Sequence, residues 1–235
     1  LQKYIVRSKD LKTGKVISRE MPHKFDVIIA NPPYIKQENI PRKKEMMKKL
    51  PLYASYRKKN IYSRNLKNIP AKIPLHLSAK TDYYGFFLWY STFFLKIKGI
   101  LCFLIPDKWM DVKYGEKLKQ FLKKHYEIQS IIGFNRNIFK SAQVSVILLI
   151  VRRCDDLTIR EKNIVKFVLI KQYLSEDIMK KVKRIHSNQI SSQNILNHQD
   201  YFFDNSDPQL GITYIRQSSL NYQDKWTYRF LFQSQ

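Results

Sequence analysis

The chain has 235 residues, 44% hydrophobic and 14% aromatic, which excludes low-hydrophobicity disorder and suits one domain, or one domain and part of a second. Lys and Arg outnumber Asp and Glu by 43 to 19; the net charge of +24 favours a polyanionic partner, nucleic acid, over a membrane surface, for which no long cationic amphipathic helix is present. Cys102 and Cys154 form no CxxC pair, the five histidines lack metal-ligand spacing, and no apolar stretch is long enough to span a membrane, so a soluble, reduced, cytoplasmic protein without metal is expected.

The first residue is Leu1 rather than Met, which points to a fragment of a longer protein. The first apolar run, Phe25–Ala30, reads as a buried strand. It ends in Asn31, Pro32, Pro33 and Tyr34. Pro32 keeps Asn31 out of the helical region and the two prolines fix their own φ angles, so the loop's carbonyls point in set directions. In open α/β sheets ligands sit beyond the carboxyl ends of strands, which places this loop at a substrate. An exocyclic amine such as adenine N6 has two protons to donate and a lone pair delocalised into its ring. The side-chain oxygen of Asn31 and the carbonyl of Pro32 can each accept one N–H, freeing that lone pair for in-line attack on a methyl sulfonium without a strong base. Tyr34 is placed to stack on the base, which must leave a duplex to be reached.

Residues 36–67 carry eleven basic side chains against Glu38 and Glu45, with Tyr53, Tyr56 and Tyr62 interleaved. This insert is expected to meet phosphates and bases of nucleic acid, with Lys43, Lys44, Lys58 and Lys59 as phosphate contacts. Residues 83–96 are apolar on most sides and read as a helix. Residues 100–105 form the next strand, Glu116, Leu118, Phe121 and Leu122 recur at helical spacing, and residues 128–134 and 144–151 are two further strands. Strands alternating with helices predict an α/β unit with a mostly parallel sheet covered on both faces.

Arg152, Arg153, Asp155 and Asp156 form a polar break, after which Ile164–Ile170 is strand-like and residues 173–182 are helix-like. The expected division is residues 1–152 and residues 153–235. From residue 187 onward the chain is rich in Asn, Gln and Ser and shows no periodicity.

Over residues 24–151 the ordered motifs resemble the N6-adenine DNA methyltransferases of the gamma arrangement, which include type IIG restriction-modification and related phage-defence enzymes. Residues 25–35 resemble the family's target-amine motif, residues 82–88 its following helix, residues 99–109 its next strand and proline turn, and residues 138–146 its later aromatic motif. The resemblance implies a partial Rossmann-like class I methyltransferase sheet with flanking helices, S-adenosyl-L-methionine as cofactor and adenine N6 in DNA as target. It assigns Asn31, Pro32, Pro33 and Tyr34 to catalysis, Phe139 to a sandwich with the flipped adenine, and Phe87 to the cofactor's adenine. It also assigns Asp10 to the acidic cofactor position.

Family enzymes cradle the cofactor on a glycine-rich turn before the target motif, whereas the six glycines here contain no GxG. The resemblance therefore implies that a missing N-terminal methyltransferase segment or a partner chain supplies the cofactor half, and that the isolated chain is inactive. On this reading residues 1–152 are the C-terminal part of a catalytic domain, and residues 153–235 are a linker leading into target recognition. Two other readings stay open from sequence: a methyltransferase with the same tetrapeptide acting on RNA or release-factor glutamine, and a DNA-binding remnant without catalysis.

Overall fold

The computed structural model describes residues 5–9, 13–14, 16–20, 24–46, 77–78, 80–135, 138–139, 144–187 and 201–231. A hairpin of β1 (Ile5–Lys9) and β2 (Val16–Glu20) comes first, and Gly14 takes a left-handed φ of 69° between its strands. The main unit follows as β3 (Phe25–Ala30), α1 (Tyr83–Ser91), β4 (Leu95–Pro106), α2 (Gly115–His125), β5 (Tyr126–Phe134) and β6 (Val146–Arg153). It continues through α3 (Leu157–Lys162), β7 (Ile164–Ile170), α4 (Glu176–Ser187), β8 (Tyr201–Asp204), β9 (Leu210–Arg216) and α5 (Tyr228–Leu231).

One seven-stranded sheet has the order β3-β4-β6-β5-β7-β9-β8. β3 pairs parallel with β4 and β5 with β7, while β6 and β9 run against the other five strands. The expected α/β class is met, with two reversed strands set into the sheet. Pairing does not stop at residue 152, because β7, β9 and β8 extend the same sheet. The polar break expected there resolves into the end of β6, a cap at Asp156 and the short α3.

Alternation along the strands builds two apolar faces. On one, Leu101, Phe103 and Ile105 of β4, Leu149 and Val151 of β6, and Ile128 and Ile131 of β5 pack under α1, α2 and the C-terminal Trp226 and Phe230. On the other, Ile178 of α4 covers Ile132, Val168, Ile170 and Ile212, with Val182 and Ile185 beside it. That second layer does not reach the β3 end. Val27 and Ile29 are 50% and 77% exposed there, although each fully buried aliphatic side chain contributes about 1.5–3 kcal/mol.

The helix expected over residues 83–96 ends at Ser91. Thr92 Oγ1 bonds back to the Leu88 carbonyl at 3.1 Å and shares a 2.6 Å hydrogen bond with the buried Tyr126 hydroxyl. Arg153, 2% exposed, donates to the carbonyls of Thr92, the residue that caps α1, and of Leu95, the first of β4, at 2.7 and 2.8 Å. Leu95 then pairs with Phe25, and a bulge at Lys98 (φ 66°) and Gly99 brings β4 back into register. A Cβ on Gly99 would lie 2.9 Å from the Lys96 carbonyl oxygen and 3.0 Å from that of Asp26, which only glycine avoids. No helix among the described residues is long and apolar enough to cross a membrane.

Candidate active site

The parallel register sets Ala30 opposite Phe103, so the Asn31 to Tyr34 loop leaves the carboxyl end of β3 beside the last residues of β4. Pro32 is buried, while Asn31 and Pro33 are exposed. Pro32 thus roots the loop, and the exposed Asn31 has no side-chain hydrogen-bond partner among the described residues. Tyr34 is half-buried and its hydroxyl donates to the Leu104 carbonyl at 3.2 Å. Burial raises its pKa, so the ring is a neutral phenol held by its far end.

Phe139, 105 residues away, lies against Tyr34 with ring centroids 6.4 Å apart at 67°. Two aromatics that sequence reading assigned separately to one base therefore meet beside the loop. Phe87 sits on α1, 38% exposed, with its ring edge-to-face with Tyr83 at 5.1 Å. Asp10, Lys58 and Lys59 lie outside the described residues.

The loop is fastened from behind by α1. Asp82 precedes the helix, but its side chain accepts no bond from it; its Oδ1 accepts the Gln37 N–H at 2.8 Å and its Oδ2 accepts the Tyr114 hydroxyl at 3.1 Å. The Tyr83 amide donates to the Ile35 carbonyl at 3.0 Å. Burial, then the Asp82 charge, push Tyr114 up to about 12, so its proton stays in place as the donor. Lys43 Nζ donates to the Thr81 carbonyl at 3.1 Å and to the Gln37 side chain and carbonyl at 3.3 and 3.4 Å, and lies 5.8 Å from the Phe86 ring. Its ammonium joins the post-motif turn to the residues that precede α1. Burial lowers its pKa, against the pull of Asp82 and Glu38. Lys44 is exposed.

On the β4 side, Ser145 Oγ donates to Asp107 Oδ2 at 2.5 Å and the Asp107 amide donates to the Ser145 carbonyl at 3.2 Å. Burial raises the Asp107 pKa despite the Ser145 bond. These two contacts close the far end of the connection carrying Phe139. Asp82, Tyr114, Asp107 and Ser145 escaped sequence reading as site residues, although all but Tyr114 fall inside or at the edge of the quoted motifs. The arrangement offers an exposed amide acceptor on a rigid loop and two converging rings, suited to a planar ring carrying an amine.

A family model described as Eco57I restriction-modification methylase matches residues 3–139, more than half of the chain. The type II methyltransferase M.AccI of Acinetobacter calcoaceticus is 28% identical over 130 residues, 54% of this chain and 20% of that protein. M.BstVI of Geobacillus stearothermophilus, also a type II methyltransferase, is 30% identical over 115 residues, 48% of this chain and 16% of that protein. The chain thus spans a fifth or less of the length of these relatives. Among solved structures, the type IIG restriction endonuclease BpuSI superposes with a TM-score of 0.57 at 13% identity, over 86% of this chain and 20% of that one. The methyltransferase subunit of a type I restriction-modification system from Streptococcus thermophilus gives 0.50 at 15% identity, over 84% of this chain and 36% of that one. At such identities the superpositions speak to the fold alone.

Proposed function

The chain belongs to the Eco57I restriction-modification methylase family, and from that premise we propose that it carries the target-base half of a site that methylates adenine N6 in DNA. The observation that carries the reading is the exposed Asn31 in the loop of Tyr34, whose ring meets Phe139 at 6.4 Å. A flipped adenine enters beside these rings, and the Asn31 side-chain oxygen and the Pro32 carbonyl accept its two amine protons. The Tyr34 hydroxyl keeps its ring in place through Leu104, so little reorganisation is needed as the amine turns tetrahedral. S-adenosyl-L-methionine, when bound, supplies the electrophilic methyl group.

Phe87, part-exposed on α1, is suited to form one wall for the cofactor's adenine. The remaining walls come from residues outside those described or from a partner chain. Among the described residues no strand pairs with the outer edge of β3, and Val27 and Ile29 are exposed, which supports that division. DNA binding draws on the charge of +24, with Lys44 and the insert's Lys58 and Lys59 as phosphate contacts.

The test is Asn31→Ala in the full-length protein. One lost transition-state acceptor costs about 3 kcal/mol, so single-turnover methyl transfer should fall roughly a hundredfold while DNA affinity, dominated by phosphate contacts, changes little. A rate within about tenfold of the parent rejects the role of Asn31. Mapping the methylated atom on the DNA product separates adenine N6 from other acceptors.

A further inference from the structure

Residues 217–231 leave β9, cross the helical face of the sheet and touch both shoulders of the connection that carries Phe139. The first contact is at the turn after β4. Thr227 Oγ1 donates to the Asp111 carboxylate, 2.6 Å from each oxygen, the Thr227 amide donates to Asp111 Oδ1 at 3.3 Å, and the Trp226 amide donates to the Met110 carbonyl at 3.1 Å. That turn is closed by Met110 N–H to the Asp107 carbonyl at 2.8 Å, and Asp107 holds Ser145 through its carboxylate and amide. The exit of the Phe139 connection is therefore linked to Thr227 in three steps.

The second contact is at the entry. Phe230 packs on Gly133 near the end of β5 so closely that a Cβ there would lie 3.2 Å from its ring. The segment is itself held down. Trp226 is fully buried, with its ring 5.9 Å from Trp109, Lys119 Nζ donates to the Asp224 carbonyl at 2.5 Å, and Thr213 Oγ1 donates to the Arg229 carbonyl at 2.9 Å. Residues 135–145 join β5 to β6, and one fifteen-residue segment bears on both strand ends from which they hang.

We propose that Thr227 and Phe230 are positioning residues for methyl transfer, fixing the two ends of the β5–β6 connection and thereby the placement of Phe139 against Tyr34. This rests on the proposed function, because it matters only if those rings receive the base. Neither residue touches substrate; both act through backbone. Whatever follows residue 231 in the full-length protein is continuous with this segment, so displacement of the segment on target binding would be felt at both ends of the Phe139 connection.

The test uses the full-length protein with labelled S-adenosylmethionine and genomic DNA lacking the modification. Thr227→Val keeps the shape and removes both hydroxyl bonds to Asp111, Phe230→Leu removes the ring over Gly133, and Thr227→Ser restores the hydroxyl. Misplacing a reacting group by about 1 Å can cost a hundredfold, so Thr227→Val and Phe230→Leu should lower the single-turnover rate by roughly 10- to 100-fold with DNA Kd within about twofold, and Thr227→Ser should recover it. A merely structural role would lower the melting temperature while leaving the rate per folded molecule unchanged, and that result overturns the inference, as do parental rates in both variants. Asn31→Ala run alongside separates the failures: if it is inactive while Thr227→Val and Phe230→Leu are fully active, only the positioning inference falls; if it is also fully active, the amine-site reading falls too.

Discussion

Lys43 and Lys44 are adjacent and chemically identical, yet their surroundings predict opposite phenotypes. Lys43 Nζ sits within 3.1–3.4 Å of three oxygens on Gln37 and Thr81, whereas Lys44 is exposed. A hydrogen bond to a charged group contributes about 1.5–3 kcal/mol; these are long and the ammonium is partly desolvated, so about 1.5–2 kcal/mol is expected for the whole set. In a protein of this size that loss lowers Tm by about 2–4 °C per kcal/mol, or roughly 3–8 °C for Lys43→Ala. Lys44→Ala should leave Tm alone and flatten the slope of log K against log salt by about 0.9, the value of one phosphate contact. Thermal melts and anisotropy titrations on duplex DNA between about 50 and 200 mM salt read both quantities. The reasoning fails if Lys43→Ala keeps the parental Tm and instead flattens the slope by about one.

Tyr34→Phe removes a single 3.2 Å bond to Leu104 but keeps the ring, worth about 1 kcal/mol, so methyl transfer should slow by less than about tenfold; a loss as large as that of Asn31→Ala would mean the hydroxyl does chemistry. Lys24 is lowered to about 8, first by burial and then by Arg153, with Asp155 opposing. Between that value and the ordinary 10.5 the unfolded chain binds more protons than the folded one, so stability rises with pH across this window, and below it the folded state carries a partly desolvated charge in full. Lys24→Met should therefore raise Tm at pH 7 and lose that gain toward pH 10; a gain equal at both pH values contradicts the assignment. Residues 1–235 alone should give no saturable titration with S-adenosyl-L-methionine in calorimetry, since Phe87 offers one wall only, and micromolar binding would show that a complete cofactor site is already present.

Local pattern was enough where a segment's environment is uniform. Phe25–Ala30 and Ile164–Ile170 are apolar runs interrupted by a single charged residue each, Asp26 and Lys166, with polar flanks, and their strands begin and end where the runs do. β4 starts earlier than its apolar run because Leu95 to Lys98 reads on as helix, and the signal that stops α1 comes from Arg153, 61 residues away from Thr92. β9 is buried along almost its whole length but includes Gly211 and Thr213, which diluted its pattern within a polar C-terminal region. The same divide runs through the site. The place of Asn31 to Tyr34 at the carboxyl end of β3 could be read because the apolar run stops at two prolines within the motif itself. Asp82 and Lys43 could not, since the partners that give them their tasks, Gln37 and Thr81, lie 45 and 38 residues distant.

The uncovered end of the sheet bears on the chemistry as much as on stability. Edge strands are usually shielded by charge, and β3 has one charged residue, Asp26, already paired with Lys96 at 2.8 Å. Val27 and Ile29 are left as apolar surface next to a backbone edge that pairs with no other strand among the described residues. Asn31 lies two residues beyond Ile29, about 7 Å along the chain at strand rise. Charge development on a methylated amine is better stabilised by fixed dipoles in a water-excluded site than by an acceptor open to solvent, as Asn31 is. A strand added in parallel to this edge of β3 would bring its own carboxyl end alongside Asn31, and a helix packed behind it would cover Ile29, so the contact that extends the sheet would also close the site. On this argument a neighbour that shielded Ile29 would shield Asn31 as well.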